Sequence, residues 1–314
     1  MSVAGESVTG VEGTGGPGRE RGRPGPPGRG HHGHVAWTRV GEIEVWVHDE
    51  GPSAGSPVVL VAGAAEGAHH WSRAWVEPLV AAGHRVVRYD QRGSGRSSGT
   101  LGADGLGELA GDLVGLLDVL GLATAHLVGR ALGGMVVQRV ALDRPDRVRS
   151  LTLVSTTPGP DPRLSEPDAA LVAELARLHL LAPPATPAEA VERAVRRRAL
   201  FAGTRYPVDL EAERERARRD LALGATGESG SAHGIVATES SSRLDALAAV
   251  EASTLVIHGD ADPLFPLDHA RALASRIAGA RLVVVEGLGH ELPDAAAPDL
   301  VPVILAHLAA ADTL

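Results

Sequence analysis

Four short segments rich in glycine or alanine each follow a run of apolar residues and carry groups that can do chemistry. Gly129–Gly134 places Ala131 among glycines, and Asp262 and His290 come after two later apolar runs. A fourth turn, residues 62–64, offers backbone amides. Carboxylates and imidazoles can exchange protons, and backbone amides can stabilise a developing oxyanion. If the segments meet in space, they predict acid–base chemistry at a carbonyl group.

Gly129–Gly134 has the pattern of a nucleophile elbow, a sharp turn from a strand into a helix. Small residues on both sides let one residue adopt a strained conformation and point at a pocket. Ala131 stands where this pattern has serine, and Asp262 and His290 follow in the expected order of acid and histidine. The alternative is that the glycines serve only close packing of the helix. The three other segments favour the elbow.

The elements that must position these residues alternate between short apolar runs and helical patterns. The apolar runs end at Val61, Tyr89, Val128, Ser155, His258 and Val285. Such alternation predicts the α/β fold class, with a mostly parallel central sheet and helices on both faces. The carboxyl ends of parallel strands share one edge of the sheet, where ligands bind.

Helical signals without apolar strand runs occupy residues 158–245. Thr186 followed by Pro187 predicts a helix start, Asp209 begins a charged helix, and residues 224–231 read as a loose loop. We therefore expect an α/β core at 35–157 and 246–314, with 158–245 as a helical cap over the site.

Composition excludes several classes of function. The 314 residues include 30 basic and 39 acidic side chains, and the resulting net charge of -9 repels nucleic acid and anionic lipid. The absence of cysteine excludes disulfides and thiolate chemistry, and the absence of lysine excludes Schiff-base chemistry. No dinucleotide fingerprint, phosphate loop or metal-ligand spacing is found. We expect no cofactor, no bound metal, a small-molecule substrate, and a monomer or homodimer.

The first 34 residues are mostly Gly, Pro, Arg, Ser and Glu, and this composition predicts a disordered tail. The tail contains His31, His32 and His34 but no frame that would fix them around a metal. No signal peptide is recognised, and no window is read as a membrane span. The expectation is a cytoplasmic protein without a membrane partner.

From about Val40 onward the chain resembles the α/β-hydrolase superfamily, particularly small-molecule esterases, haloperoxidase-type hydrolases and the methylesterases of aromatic polyketide antibiotic pathways. The resemblance lies in four segments: Tyr89–Ser97, Gly129–Gly134, Val256–Asp262 and Glu286–His290. It implies the α/β-hydrolase fold, with His290 as general base and Asp262 as the acid that orients it. It also implies an oxyanion hole formed by the amides of Ala64 and Leu132.

The resemblance further points to substrate contacts near the two turns. Gly63 lies in the oxyanion turn, and His69, His70 and Trp71 follow it, although the two histidines also fit solvated loop residues. Arg130 lies beside the nucleophile position, where it pairs either with a substrate carboxylate or with a cap acid such as Glu239. The expected substrate is a small apolar ester or lactone, polyketide-like by analogy.

Ala131 departs from the family pattern, since a methyl group cannot attack a carbonyl. One explanation is an inactivated variant of a working esterase. A second is a natural cofactor-free enzyme, such as a decarboxylase, cyclase or lyase, in which His290 with Asp262 acts as a general base without a covalent step. The third is a binding protein that has kept the pocket and lost the chemistry.

Overall fold

An eight-stranded sheet lies at the centre of the computed structural model, which describes residues 34–223 and 227–313. The strands are β1 His34–Val40, β2 Ile43–Glu50, β3 Pro57–Val61, β4 Arg85–Tyr89, β5 Ala125–Arg130, β6 Val148–Val154, β7 Ser253–Gly259 and β8 Arg281–Val285. Their spatial order is β1-β2-β4-β3-β5-β6-β7-β8. The β1–β2 and β2–β4 pairs are antiparallel and all the other pairs are parallel. The predicted α/β class and mostly parallel sheet are confirmed.

Helices cover the two faces of the sheet and form the segment between β6 and β7. They are α1 Arg73–Ala81, α2 Gly105–Val119, α3 Leu132–Asp143, α4 Ala169–His179, α5 Pro187–Ala199, α6 Leu210–Ala222, α7 Gly227–Glu239, α8 Leu267–Arg276 and α9 Ala297–Ala311. One apolar cluster joins the sheet to α2, α3 and α8, and a second joins it to α1 and α9. Because both faces are covered, β3 to β7 each contain a buried run of apolar residues.

The four helices α4 to α7 lie within the interval predicted for the cap. Asp168, Thr186 and Asp209 accept hydrogen bonds from the first turns of α4, α5 and α6, which fixes where those helices begin. The prediction of a loose loop at 224–231 is wrong from Gly227 onward, where α7 starts.

The predicted tail requires one correction. His34 is the first residue of β1, where it pairs with Asp49, so the antiparallel edge of the sheet begins one residue before the predicted boundary. The remainder of the predicted tail, including His31 and His32, lies outside the described residues.

Residues 294–311, which include α9, are long and apolar enough by length and composition to cross a membrane, contrary to the sequence reading. In the fold this segment packs against the sheet and α1. Leu300, Ile304 and Leu308 are buried in the second apolar cluster. A core helix that is apolar on most sides passes the same compositional test as a membrane span.

Candidate active site

Ala131 forms the turn between β5 and α3 in a strained backbone conformation, with φ 48° and ψ −118°. A residue other than glycine in such a conformation costs about 1–3 kcal/mol and persists only where its surroundings enforce it. Here the Ala131 amide donates to the Val154 carbonyl at 3.0 Å, and the Thr156 hydroxyl donates to the Ala131 carbonyl at 2.6 Å. The elbow conformation is thus retained around a side chain that cannot react.

The flanking glycines also serve packing. A Cβ on Gly133 would lie 2.3 Å from the Val61 carbonyl oxygen, and one on Gly129 would lie 2.3 Å from the Gly133 oxygen. Helix α3 therefore approaches β3 and β5 more closely than any other residue type would allow. The glycines therefore serve close packing of α3 as well as the turn at Ala131.

Asp262 and His290 meet at the carboxyl edge of the sheet, after β7 and β8 respectively. Their Oδ2 and Nδ1 atoms are 2.9 Å apart, and both side chains are buried. Burial by itself would raise the pKa of Asp262, but the charge of His290 and its hydrogen bond lower it overall. The carboxylate is therefore ionised and holds Nδ1 of His290, which leaves Nε2 to exchange a proton.

Backbone amides and two phenylalanines fix this pair. Oδ1 of Asp262 accepts hydrogen bonds from the amides of Leu264 at 2.8 Å and Phe265 at 3.0 Å. The ring centroid of His290 lies 5.3 Å from that of Phe265 and 5.7 Å from that of Phe201. The Phe201 carbonyl also accepts from the His290 amide at 2.8 Å, so the segment after α5 helps to hold the histidine loop.

A second buried imidazole, that of His258 on β7, was missed by the sequence reading. Its Nε2 donates to the Phe265 carbonyl at 2.7 Å and lies 3.4 Å from Oδ2 of Asp262. Burial lowers the pKa of His258, which is therefore neutral at pH 7. His258 belongs to an apolar strand run, so its contact with Asp262 could not be predicted from the sequence pattern.

The turn after β3 presents one amide suited to an oxyanion. The Gly63 amide donates to Glu66 Oε2 at 2.8 Å, and the Ala65 amide donates to His233 Nδ1 at 3.0 Å. Within the part of the chain that the structure describes, neither the Ala64 amide nor the Leu132 amide at the start of α3 donates a hydrogen bond. Gly63, predicted as a substrate contact, is thus engaged within the protein.

Arg130 enters a buried cluster of charges beside the elbow. Its Nη1 contacts Oε1 of Glu66, and its Nη2 lies 3.1 Å from Oε2 of Glu291 and 3.3 Å from the His290 carbonyl oxygen. Of the two alternatives for Arg130, pairing with a cap acid such as Glu239 is not found among the described residues, and the guanidinium is occupied by carboxylates of the turn after β3 and of the histidine loop. Burial favours a higher pKa for Glu66, but Arg130 and His70 hold that pKa well below its usual range.

His69, His70 and Trp71 do not lie in solvent. The Trp71 side chain is packed in the second apolar cluster, 6.0 Å from the ring of Trp75, and serves the core. The side chains of His69 and His70 are 11% and 4% exposed and both contact Asp220 of α6. The interpretation of the two histidines as solvated loop residues is wrong.

Two cavities lie close to the charged cluster. One of about 10 Å³, roughly the space of a single water, touches Glu66, Arg130 and Glu291. The other, of about 170 Å³, lies between the cap and the histidine loop and is lined by Tyr206 and Leu288 among others. Neither cavity is lined by Ala131 or His290.

Ser155, at the end of β6, is a further residue that the sequence did not single out. It has φ 44°, is fully buried, and its hydroxyl has no partner among the described residues. Its amide donates to the Ile257 carbonyl at 3.0 Å, which places it between the elbow and the strand that leads to Asp262.

Comparison with known proteins identifies the family. A model of the α/β-hydrolase fold matches residues 56–295. The chain is 37% identical over 289 residues to rhodomycin D methylesterase of Streptomyces peucetius, covering 86% of this chain and 96% of the relative. A putative carbamate hydrolase of Azorhizobium caulinodans is 39% identical over 121 residues, 38% of this chain and 44% of that protein.

Solved structures share the fold. An enol-lactonase from Burkholderia xenovorans superposes with a TM-score of 0.70 at 23% identity, covering 87% of this chain and all of that one. A meta-cleavage product hydrolase from Pseudomonas fluorescens gives a TM-score of 0.73 at 22% identity, covering 90% and 99%. The chain therefore belongs to the α/β-hydrolase family.

Proposed function

We propose that this chain carries the site of a serine-type carboxylic-ester hydrolase for a small apolar ester or lactone, and that Ala131 makes it a poor hydrolase. The observation that carries the proposal is the retention of a strained elbow together with a buried, hydrogen-bonded Asp262–His290 pair. A pocket kept only for binding would have no need of a histidine that a buried carboxylate holds in one orientation.

A hydroxyl at position 131, within reach of Nε2 of His290, would react in a defined sequence of steps. Nε2 of His290 would accept the hydroxyl proton while the oxygen bonds to the ester carbonyl, and the amides of Ala64 and Leu132 would stabilise the resulting oxyanion. Collapse would break the bond to the alcohol, which leaves with the proton from Nε2. Water, deprotonated by the same nitrogen, would then attack the acyl carbon. The bond to the oxygen of residue 131 would break, that oxygen would take back the proton from Nε2, and the acid would leave.

Ala131 blocks the first of these steps. What remains is direct attack by a water molecule, with His290 as the base and the two amides as the oxyanion donors. In serine proteases, loss of a triad member leaves only about 10³–10⁴-fold acceleration over water. We expect activity of that order from the chain as it stands.

The substrate class rests on the relatives. Rhodomycin D methylesterase matches along almost its whole length, so a methyl ester of a polyketide-like compound is the substrate that we propose. Tyr206, Val208, Leu288 and Pro293 line the larger cavity together with charged side chains, and this cavity adjoins the histidine loop without reaching His290 itself. The proposal needs no cofactor, and it assigns the protein to the cytoplasm as a monomer or homodimer without nucleic-acid or membrane partners.

A second candidate is non-covalent catalysis, in which His290 removes a proton from an acidic substrate as in a decarboxylase, cyclase or lyase. The ionised Asp262 beside a buried imidazole favours this candidate over simple binding, because a binding protein gains nothing from a base held in one orientation. Replacing His290 by Ala in the unmodified chain separates catalysis from binding once a substrate is found.

The test of the main proposal is hydrolysis of p-nitrophenyl butyrate by the unmodified chain and by Ala131→Ser. We expect a pre-steady-state burst of one p-nitrophenolate per chain in Ala131→Ser alone. The matched control is Ala131→Ser combined with His290→Ala, in which the burst disappears. A folded Ala131→Ser variant with no burst and no gain in rate would refute the proposal.

A further inference from the structure

Two adjacent histidines and an aspartate from the cap form a compact cluster apart from the elbow. His69 and His70 lie in the turn that follows β3, and Asp220 lies in the last turns of α6. Nε2 of His69 is 2.9 Å from Oδ1 of Asp220, and Nε2 of His70 is 3.1 Å from the same oxygen. The two imidazole centroids are 4.6 Å apart.

Hydrogen bonding does not account for the whole cluster. Nε2 of His69 is buried and has no hydrogen-bond partner of acceptable geometry in the described part of the chain, although a carboxylate oxygen lies within 2.9 Å. Bonds of about 2.1 Å from one metal ion, with angles between 90° and 109°, would separate neighbouring ligand atoms by about 3.0–3.4 Å. The two nitrogen–oxygen spacings, 2.9 and 3.1 Å, lie close to this range, and the ligand atoms of all three residues lie within 4.8 Å of one another.

Carboxylates outnumber guanidinium groups in and around the cluster by one. Side chains linked to the cluster include four carboxylates and three guanidinium groups: Glu66, Glu213, Asp220, Glu291, Arg130, Arg198 and Arg216. Nδ1 of His70 lies 3.5 Å from Oε1 of Glu66 and 3.2 Å from Nη1 of Arg198. With an ion on Nε2, Nδ1 of His70 carries the proton and donates to Glu66, the kind of outer carboxylate usual in metal sites, so the Arg198 guanidinium must turn away from this nitrogen.

We propose that His69, His70 and Asp220 bind one divalent metal ion such as Zn²⁺. Two imidazoles and one carboxylate suit Zn²⁺, Co²⁺ or Ni²⁺, whereas Ca²⁺ and Mg²⁺ prefer oxygen ligands. The three donors leave at least one coordination position for water. This inference stands against the sequence expectation of no metal, and it is independent of the proposed ester hydrolysis.

The site would join the cap to the core. Its two histidines belong to the turn that supplies the oxyanion amide, and its aspartate belongs to helix α6. An ion that binds only the folded arrangement would hold α6 against this turn and stabilise the protein in proportion to the free metal concentration. Chelation would release that restraint without touching Ala131, Asp262 or His290.

The experiment uses the full chain carrying His31→Ala, His32→Ala and His34→Ala, because imidazoles of the N-terminal segment can themselves bind metal. Zn²⁺ is added to the chelator-treated protein, and binding is measured by equilibrium dialysis with elemental analysis. We expect one ion per chain and a melting temperature that rises with Zn²⁺ concentration. Co²⁺ in place of Zn²⁺ should give the visible absorption of a four- or five-coordinate site.

Variants locate the ion. Asp220→Asn and His69→Gln should each weaken Zn²⁺ binding by about 100-fold, whereas His179→Gln, at an exposed position on α4, should leave it unchanged. Failure of the parent to bind Zn²⁺ at about 100 µM would overturn the proposal. Equal Zn²⁺ affinity in the parent and in Asp220→Asn would also overturn it. A Co²⁺ spectrum of the parent that is typical of six oxygen ligands would do the same, and this spectrum does not depend on how well the variants fold.

Discussion

The buried cluster around Arg130 makes a sharp prediction about stability. Arg130→Met keeps most of the side-chain volume but leaves the carboxylates of Glu66 and Glu291 without their nearest cation. The three side chains are 8%, 10% and 17% exposed, so solvent replaces little of the lost interaction. Removal of one partner from a buried ion pair typically costs about 3–5 kcal/mol.

The geometry places the expected cost near the lower end of that range. Arg198 Nη1 lies 3.8 Å from Oε1 of Glu66 and 3.5 Å from Oε2 of Glu291, so it compensates in part. We therefore predict that Arg130→Met lowers the free energy of unfolding by about 3 kcal/mol at pH 7. Adding Glu291→Gln should recover part of the loss, because one fewer buried charge is then unpaired.

Urea denaturation at pH 7, in the presence of a chelator, measures these differences. The matched control is Arg139→Met, which breaks the exposed Arg139–Asp143 pair on α3 and should cost less than about 1 kcal/mol. If Arg130→Met is as stable as Arg139→Met, the contacts of Arg130 with Glu66 and Glu291 do not contribute the predicted stability. In the Ala131→Ser background, Arg130→Met should also lower kcat, because the guanidinium donates to the His290 carbonyl.

Three further predictions follow from single residues. In the Ala131→Ser background, Asp262→Asn should lower kcat by about 10⁴-fold, measured with p-nitrophenyl butyrate, because the neutral amide no longer fixes the proton on His290; an unchanged kcat would remove Asp262 from the site. Gly133→Ala should cost about 1–3 kcal/mol in urea denaturation, since its Cβ would meet the Val61 carbonyl at 2.3 Å, and a neutral result would contradict the close packing of α3. Burial lowers the pKa of His126 from 6.5 to about 4, so its folded form is neutral and its stabilising contribution is complete above pH 6.5. That contribution, about 3 kcal/mol at most, should be lost as the pH falls from 6.5 to 4, and His126→Gln should flatten this part of the stability profile.

The sheet and the strand-end residues were predictable from the sequence because parallel strands leave a strong local pattern. Each buried strand is an apolar run, and the residues directly after it must lie at one edge of the sheet. This is why Asp262 and His290, 28 residues apart, could be expected at the same edge, where they are found hydrogen-bonded.

The charged surroundings of the site could not be predicted in the same way. Glu66 and Arg130 are separated by 64 positions, and neither lies in a periodic pattern that reveals its partner. His69 and His70 lie in a loop of polar sequence, so their burial could not be predicted. Their common partner Asp220 belongs to a helix with a largely charged sequence, which the pattern predicts to face solvent. Pairings of this kind depend on how the cap docks, and hydrophobic periodicity does not report that.

The prediction of secondary structure from the sequence failed where local signals conflict with tertiary packing. Glycine and serine near residue 227 predicted a loop, yet α7 begins there because its residues pack against α2, α3 and the turn after β3. Val236 is buried in the core cluster, and His233 accepts from the Ala65 amide. Residues 294–311 show the reverse case, in which the burial of α9 against the sheet requires an apolar composition close to that of a membrane span.

Covalent labelling of position 131 tests most directly whether the chain retains a serine-hydrolase site that lacks only its nucleophile. Ala131→Ser, incubated with a p-nitrophenyl alkylphosphonate and examined by mass spectrometry, should carry one adduct per chain, mapped to the peptide that contains residue 131. The unmodified chain should carry none, and His290→Ala in the Ala131→Ser background should be labelled far more slowly. An unlabelled but folded Ala131→Ser variant, or equal labelling of the unmodified chain, would contradict this account.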